Sequence, residues 1–506
     1  MRRVRLALAL VVVPLLLLLF TSIAESRPGG GQSYRSSSSS YRPSSSSSSY
    51  RPSSYSYKPS SYSYSSYKSS YTPSYSSSSY TPSSYSGSYS GGSSSSSSDD
   101  GSGFGVIVFI ILVIVIIWWW KRKKSAPERA KVDVDSDVRK KALAKLNQIE
   151  PGFDEKAFVE RAKQTMQKIN EAWCKGNMGP VRRLISDGVY VRFRTYLELN
   201  KLNGVRNVMV DWRVVDAQII DAETDPLWDT LHVKVVGEAR DRDVSASLSD
   251  AEAQSQASHT DKSQYEEVWS FVRRRGHKSK DGKSALQGDC PNCGAELPIS
   301  DVIKCNYCNA LVNSGEHDWV LAEITQPEEF SPYDSADEPD GLAELRKRDA
   351  SVSRQELEDR GSVVFWKWID AQVSGKRDRL ERFLLKAGEP PTKQIAYRQV
   401  AVGSAELTQV YTDEQLGLDF AEIEIVWSAG EGAKEPVNRT HYLTLARSNK
   451  AVSKRGLSSL DCPNCGGQLA ESDAPKCSYC GETLQGGKHE WALSAIDGDV
   501  TDGEES

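Results

Sequence analysis

Two copies of one cysteine pattern constrain this chain more than anything else in it. Cys290-Pro-Asn-Cys293-Gly is followed by Lys304-Cys305-Asn-Tyr-Cys308, and Cys462-Pro-Asn-Cys465-Gly by Lys476-Cys477-Ser-Tyr-Cys480. Both blocks read C-x2-C-x11-C-x2-C. Each Cys-x-x-Cys turn aims two sulfurs at one point, and two such pairs make a closed tetrahedral site for zinc. The pattern therefore predicts two structural Zn2+ ions. Cys290, Cys293, Cys305 and Cys308 would hold one, and Cys462, Cys465, Cys477 and Cys480 the other. Gly294 and Gly466 follow the second cysteine of each block, where such a turn asks for positive φ. Disulfides are the competing use of the same residues, and the compartment decides between them. The ninth cysteine, Cys174, stands beside Trp173 on a helical apolar face and reads as a buried, inert thiol.

The compartment follows from the N-terminal part. Arg2, Arg3 and Arg5 precede the apolar run Leu6 to Phe20, and Ser22-Ile23-Ala24 offers small residues for cleavage. Residues 1–26 thus read as a secretory signal, with an uncleaved anchor as the alternative. From 27 to 103 serine dominates, and a loose unit recurs as Tyr41-Arg-Pro-Ser, Tyr50-Arg-Pro-Ser, Tyr57-Lys-Pro-Ser, Tyr71-Thr-Pro-Ser and Tyr80-Thr-Pro-Ser. So few aliphatic residues cannot offset the entropy of ordering, and a disordered extracytoplasmic spacer is expected. Phe104 to Trp120 is an unbroken apolar run, about 25 Å long as a helix. Three tryptophans and then Lys121-Arg-Lys-Lys124 close it, as an interfacial belt and a stop-transfer cluster would. The chain is accordingly expected in a bacterial plasma membrane as a single-pass protein, with the Ser/Tyr segment outside and everything after Ser125 in the cytoplasm. A reducing cytosol favours zinc thiolates over disulfides.

After a basic flank and linker (121–153), the remaining sequence repeats one plan. The first copy is expected over 154–325 with a zinc ribbon at 288–315. The second is expected over 353–497 with a ribbon at 460–487, after a linker at 326–352 and before an acidic tail at 498–506. Phe158, Ala162, Met166, Ile169 and Trp173 fall at helical spacing, Gly176 ends that helix, and Pro180 suits the start of the next. Ser353-x-x-Glu356 reads as a capping box; Leu357, Val364, Phe365, Trp368 and Ile369 follow it, and Gly375 ends the helix. Leu380, Phe383 and Leu384 are assigned to a further helix. Strands come next. Val208, Val210, Trp212 and Val214 alternate with polar neighbours, as do Leu231, Val233 and Val235. In the second copy Leu416, Leu418 and Phe420 alternate, and Ile423, Ile425 and Trp427 continue one residue out of phase. That slip predicts a bulge. The fold class is α+β: two tandem domains, each with helices against a curved antiparallel sheet. The ribbons interrupt the last hairpins. Glu267–Arg273 precedes the first ribbon and His317–Ile324 follows it; Tyr442–Arg447 and His489–Ile496 flank the second.

Glu267-Val-Trp-Ser-Phe-Val-Arg273, an insertion, and Trp319-Val-Leu-Ala-Glu-Ile324 resemble the end of the Tim44 C-terminal domain. Ala172-Trp173, Gly176 and Leu184 upstream fit it as well. That family comprises the mitochondrial import-motor tether and membrane-anchored bacterial relatives. The likeness covers Asp154 to Ile324 well and Ser353 to Ile496 weakly, since Tyr442-Leu-Thr-Leu replaces the Val-Trp-Ser-Phe stretch. The resemblance implies a cone-shaped fold like that of nuclear transport factor two, with a pocket, and partners that are membranes or proteins. The zinc ribbons, the secretory signal and the Ser/Tyr segment depart from the family. They turn the expectation toward a tethered binding domain rather than a chaperone-recruiting translocase.

The leading function is a membrane-tethered cytoplasmic adaptor or scaffold that binds protein, lipid headgroups or a small apolar ligand. A cone-fold enzyme of isomerase or dehydratase type is the alternative. Asp211, Asp216, Tyr190 and Tyr196 are candidates for it, although no spacing among them is one that chemistry demands, and no catalytic residue is expected. Nucleic-acid binding through the ribbons is a third reading. It is disfavoured by Glu296, Asp301, Glu471 and Asp473 in loops that carry only Lys304 and Lys476, and a net charge of -5 adds no support. The basic stretch Arg273 to Lys280 is read as a solvated hairpin extension or a face for anionic lipid.

Overall fold

The computed structural model describes residues 136–500 except 279–283, 299–302, 328–329, 331–337, 388–393, 433, 435, 453–456, 458–460, 466, 468 and 470–474. The expected signal, Ser/Tyr segment, membrane span and basic flank up to residue 135 lie outside the described residues. Among the described residues, no helix is long and apolar enough to cross a membrane. Those residues belong to one compact unit made of two similar halves.

The first half opens with helices α1 (Ser136–Ile149), α2 (Glu155–Cys174) and α3 (Asp187–Leu202). Asp154 caps α2 by accepting from the Ala157 amide, and Ser186 caps α3 by accepting from Val189, each supplying an oxygen to an otherwise orphaned N–H. Gly176 leaves α2 at φ +63, and Pro180 sits in a 3-10 turn at Gly179–Leu184 rather than in an α-helix. Strands β1 (Val205–Thr224) and β2 (Trp228–Ser245), the short helix α4 (Asp250–Ser258), and strands β3 (Ser263–Arg274) and β4 (Val320–Thr325) complete the half. The sheet is an antiparallel meander in the order β1-β2-β3-β4. β1 is bulged between Val210 and Arg213, where Asp211 takes φ +52. The alternation expected through Trp212 is broken at that point.

The second half repeats the plan with α5 (Leu342–Arg348), α6 (Arg354–Ser374), α7 (Asp378–Glu381), β5 (Tyr397–Asp413), β6 (Leu418–Glu431), β7 (Val437–Ser448) and β8 (Ala492–Val500). Its sheet is again an antiparallel meander, β5-β6-β7-β8. The Ser353 side chain accepts from the Glu356 amide at 3.0 Å, so the cap forms from that side, and Gly375 ends α6 at φ +67. Several expectations are corrected here. Leu416 lies in the β5–β6 turn and is exposed. Phe383 and Leu384 lie beyond α7; Leu384 instead bridges to Leu493. The phase slip at Phe420/Ile423 belongs to the neighbouring strand. β6 pairs with β7 without a break, whereas β5 has its irregularity between Leu407 and Gln409, opposite Ile423 and Glu422. The stretch read as a linker carries α5, with Leu342 and Leu345 buried.

The ribbons do replace the turns of the last hairpins. The Arg274 amide donates to the Gly315 carbonyl at 2.8 Å where the first ribbon returns, and the Ser448 amide donates to Gly487 at 2.8 Å where the second does. Both glycines have positive φ, 74 and 69. A Cβ on Gly315 would come within 2.8 Å of the Trp228 ring, and one on Gly487 within 2.9 Å of the Ala446 carbonyl, so only glycine fits either position. Each hairpin is also pinned by one buried arginine. Arg273 lies 4.3 Å over the Trp319 ring and 2.7 Å from Glu150. Arg447 lies 4.5 Å over Trp491 and 2.8 Å from Asp349. Arg273, read as the start of a basic surface stretch, is thus a core residue.

One apolar cluster runs through both halves, from Phe158, Trp173 and Trp269 to Phe365, Trp366 and Trp427. Its seam is α3 against α6. The Tyr196 and Trp366 rings are 5.2 Å apart, and the Tyr196 hydroxyl donates to the Val400 carbonyl on β5. A Cβ on Gly188 would meet Asp359 at 2.9 Å, so the missing side chain lets the helices approach.

Candidate metal centres and ligand clefts

The cysteines are placed by local backbone bonds that need no metal. In the first ribbon the Cys290 amide donates to Ala295 O and the Gly294 amide to Cys290 O, both at 2.7 Å; Cys305 repeats this with Ala310 and Asn309, both at 2.9 Å. In the second, Cys462 bonds Gly467 at 2.8 Å, and Cys477 bonds Glu482 and Gly481 at 2.9 Å. Gly294, Asn309 and Gly481 carry the positive φ that closes these turns; asparagine is the non-glycine residue that best tolerates it.

The eight thiols converge as two groups, Cys290/Cys293/Cys305/Cys308 and Cys462/Cys465/Cys477/Cys480, each with all sulfurs within 4.8 Å of one another. The separations Cys290–Cys308 and Cys293–Cys305 are both 3.7 Å, and Cys462–Cys480 and Cys465–Cys477 are 3.7 and 3.8 Å. A tetrahedron with metal–sulfur bonds of about 2.3 Å has edges of about 3.8 Å, whereas a disulfide needs about 2.05 Å. The sulfurs therefore stand at metal-ligand spacing, and none of these cysteines is disulfide-bonded. Asn292 and Asn464 each direct an amide at the fourth sulfur, at 3.5 and 3.7 Å. Burial pushes the Cys290 and Cys462 thiols up to about 12. Burial also acts on Cys308 and Cys477, but backbone N–H donors and the neighbouring thiols outweigh it and bring those two down to about 7. A metal ion would displace the remaining protons. His317 and His489 stay outside both groups; His489 lies 3.2 Å from Glu482.

A cleft of about 680 Å³ opens beside the C-terminal ends of α2 and α3. Trp173, Leu197, Val208, Met209, Trp212 and Ala253 give it an apolar lining. Polar groups at its base are linked in a chain: Trp173 donates to Asn207 at 2.9 Å, and Asn207 donates to Asp241 and Asp243 at 2.6 and 2.9 Å. Cys174 is on its wall, its thiol 3.7 Å from the Met209 carbonyl and pushed up by burial, with the Asp241 and Glu171 charges adding to the rise; it is half-buried.

The four residues considered for an enzyme do not meet. Tyr190 lies under Arg182 at 4.8 Å and lines a separate polar cleft of about 570 Å³. Tyr196 is locked in the seam between the halves. Asp211 pairs with Arg240 at 3.1 Å on the β1 bulge, and Asp216 accepts from the Ala217 amide at 2.9 Å further along β1. None of them lines the apolar cleft.

Residues 139–283 match the model of the Tim44-like domain. That span runs from within α1 through β3 and ends between β3 and β4. No curated protein matches the chain. One solved structure, described as an Ntf2-like protein involved in plasmid conjugation, is 9% identical over 69% of this chain and 99% of its own, with a TM-score of 0.14. At that score the likeness supports no statement about this chain.

Proposed function

We propose, for a chain whose residues 139–283 are a Tim44-like domain, that it acts as a membrane-tethered cytoplasmic adaptor and that its apolar cleft receives a nonpolar segment of a protein partner. The cleft carries this reading. Its volume falls in the range of binding pockets, and an apolar wall beside a few hydrogen-bonded polar groups is built to hold rather than to react. Lipid headgroups are the second ligand class: Arg206 on the rim is paired with Asp250 at 2.6 Å, while Lys175 and Lys201 also line the cleft. Binding without catalysis is part of the same proposal. Zinc is the metal proposed for both four-cysteine groups. Each ion would act as a structural cross-link that fixes the returning ends of a hairpin. The tether is the apolar run before residue 121, with the charge flanks described above. A photo-reactive residue in place of Trp212 should give discrete protein adducts in intact cells, and Met209→Arg in the same cleft should abolish them. Diffuse labelling, unchanged by Met209→Arg, would sink the adaptor reading. Protease added outside intact cells should spare everything after Lys124; digestion of the folded halves would invert the topology.

A further inference from the structure

A smaller open cavity of about 110 Å³ lies between the two halves, away from both the ribbons and the apolar cleft. The first half lines it with Glu223, Asp225 and Glu323, and the second with Glu358 and Glu406. Arg354 is the one arginine or lysine in the wall, and it is engaged by Glu358 at 2.6 Å. Arg192 and Arg346 act on Glu323 and Asp225 from outside the lining. Negative charge is therefore in excess. Glu323 is solvent-exposed at this opening, yet desolvation by the surrounding fold raises its carboxyl above the usual range; burial raises the half-buried Glu358 to about 7. Such charges are held at a cost that a positive guest would relieve.

One further side chain points to a guest. Thr230 is only 6% exposed and lines the cavity, and its hydroxyl has no hydrogen-bond partner among the described residues. His232, 7% exposed, shares Nδ1 with Ser270 at 2.9 Å and turns Nε2 to Glu223 at 3.3 Å, with the Phe330 ring 4.9 Å away. Among the described residues only the two four-cysteine groups bring their ligand atoms within 4.8 Å of one another; these carboxylates do not form such a group. The volume suits a head group of about four to six heavy atoms.

We propose that this cavity binds a small organic cation, an alkylammonium or guanidinium group, between Glu323 and Glu358, with the Thr230 hydroxyl accepting one of its hydrogen bonds. Phe330 supplies an aromatic face to the same charge. The cation is either a free amine or the basic side chain of a protein, and the chemistry is common to both. Binding favours the ionised carboxylates and so releases protons near neutral pH.

The test is calorimetry on the full chain in detergent at pH 7. Propylammonium and methylguanidinium chlorides are titrated against sodium chloride of equal ionic strength. Saturable binding is expected, with a heat that changes between buffers of different ionisation enthalpy. Glu323→Gln and Glu358→Gln should each weaken it at least tenfold. A short arginine peptide that binds more tightly than methylguanidinium assigns the guest to a protein side chain; equal affinity assigns it to a free amine. No saturable heat beyond sodium chloride overturns the proposal, as does binding that both glutamine variants leave intact. The wild-type proton release decides the matter should a variant fail to fold.

Discussion

Arg447 is 0% exposed and bridges Asp349, also buried, while covering Trp491. Removing one partner of such a buried pair strands the other charge, which costs about 3–5 kcal/mol. Arg447→Ala should therefore lower the denaturation midpoint sharply. Lys347→Ala breaks a still shorter but exposed pair with Glu344 and should change stability by less than about 1 kcal/mol. Glu358 carries a different signature. Its folded-state carboxyl titrates at about 7 against an ordinary 4.5, chiefly because burial disfavours the charge. Between those values the folded chain holds a proton that the unfolded chain has lost, so this group subtracts stability as pH rises from 4.5 to 7 and leaves the full penalty above. The penalty is on the order of 3 kcal/mol. Glu358→Gln should raise the melting temperature at pH 8 and leave it nearly unchanged at pH 4.5; an equal rise at both would show that ionisation is not the cause. The sequence exposed the cysteines because their spacing is their chemistry. It hid Arg273 and Arg447, since an arginine at the end of a strand looks the same whether it meets water or a tryptophan on the far side of an insertion.

At the scale of the element, the ribbon and its hairpin form one device. The strands set the two ends of the insertion side by side, and the sulfurs reach metal-ligand spacing from turns that already close by backbone bonds. Elemental analysis should find two zinc ions per chain. Cys305→Ser should remove only one, and hydrogen exchange should rise in β3 and β4 around the lost site. Gly315→Ala adds a Cβ against Trp228 at positive φ and should destabilise by about 1–3 kcal/mol without loss of metal. Loss of zinc in that variant would mean that the exit glycine shapes the site itself. Helices α2 and α6 were legible from period, cap and terminal glycine. Strand β5 was not: it is bulged between Arg398 and Ala401, Val402 and Ser404, and Leu407 and Gln409. Each insertion moves the inward side chains to the other parity and erases the alternation by which a strand is recognised. The same effect displaced the expected bulge onto β6, whose own phase change merely answers its neighbour's.

For the whole molecule, the decisive feature is a core that does not stop between the halves. No spacing in the sequence could announce this, because the residues that join them, Tyr196, Trp366 and Val400, belong to elements that look complete within their own repeat. Trp366 is 1% exposed and packs on Tyr196. A buried tryptophan cut back to alanine costs about 3–5 kcal/mol, and here the loss falls on the seam rather than on either half. The wild-type chain should therefore unfold in one calorimetric transition, with van't Hoff and calorimetric enthalpies in agreement. Trp366→Ala should separate that transition into two, the one at lower temperature reporting the half that depends more on the shared surface. Phe158→Ala, also buried but against β3 and Trp319 within the first half, should lower the midpoint while keeping a single transition. Two transitions in the wild-type chain would show that the halves hold together without sharing stability. The cavity between them would then open and close with their relative motion instead of standing preformed for a cation.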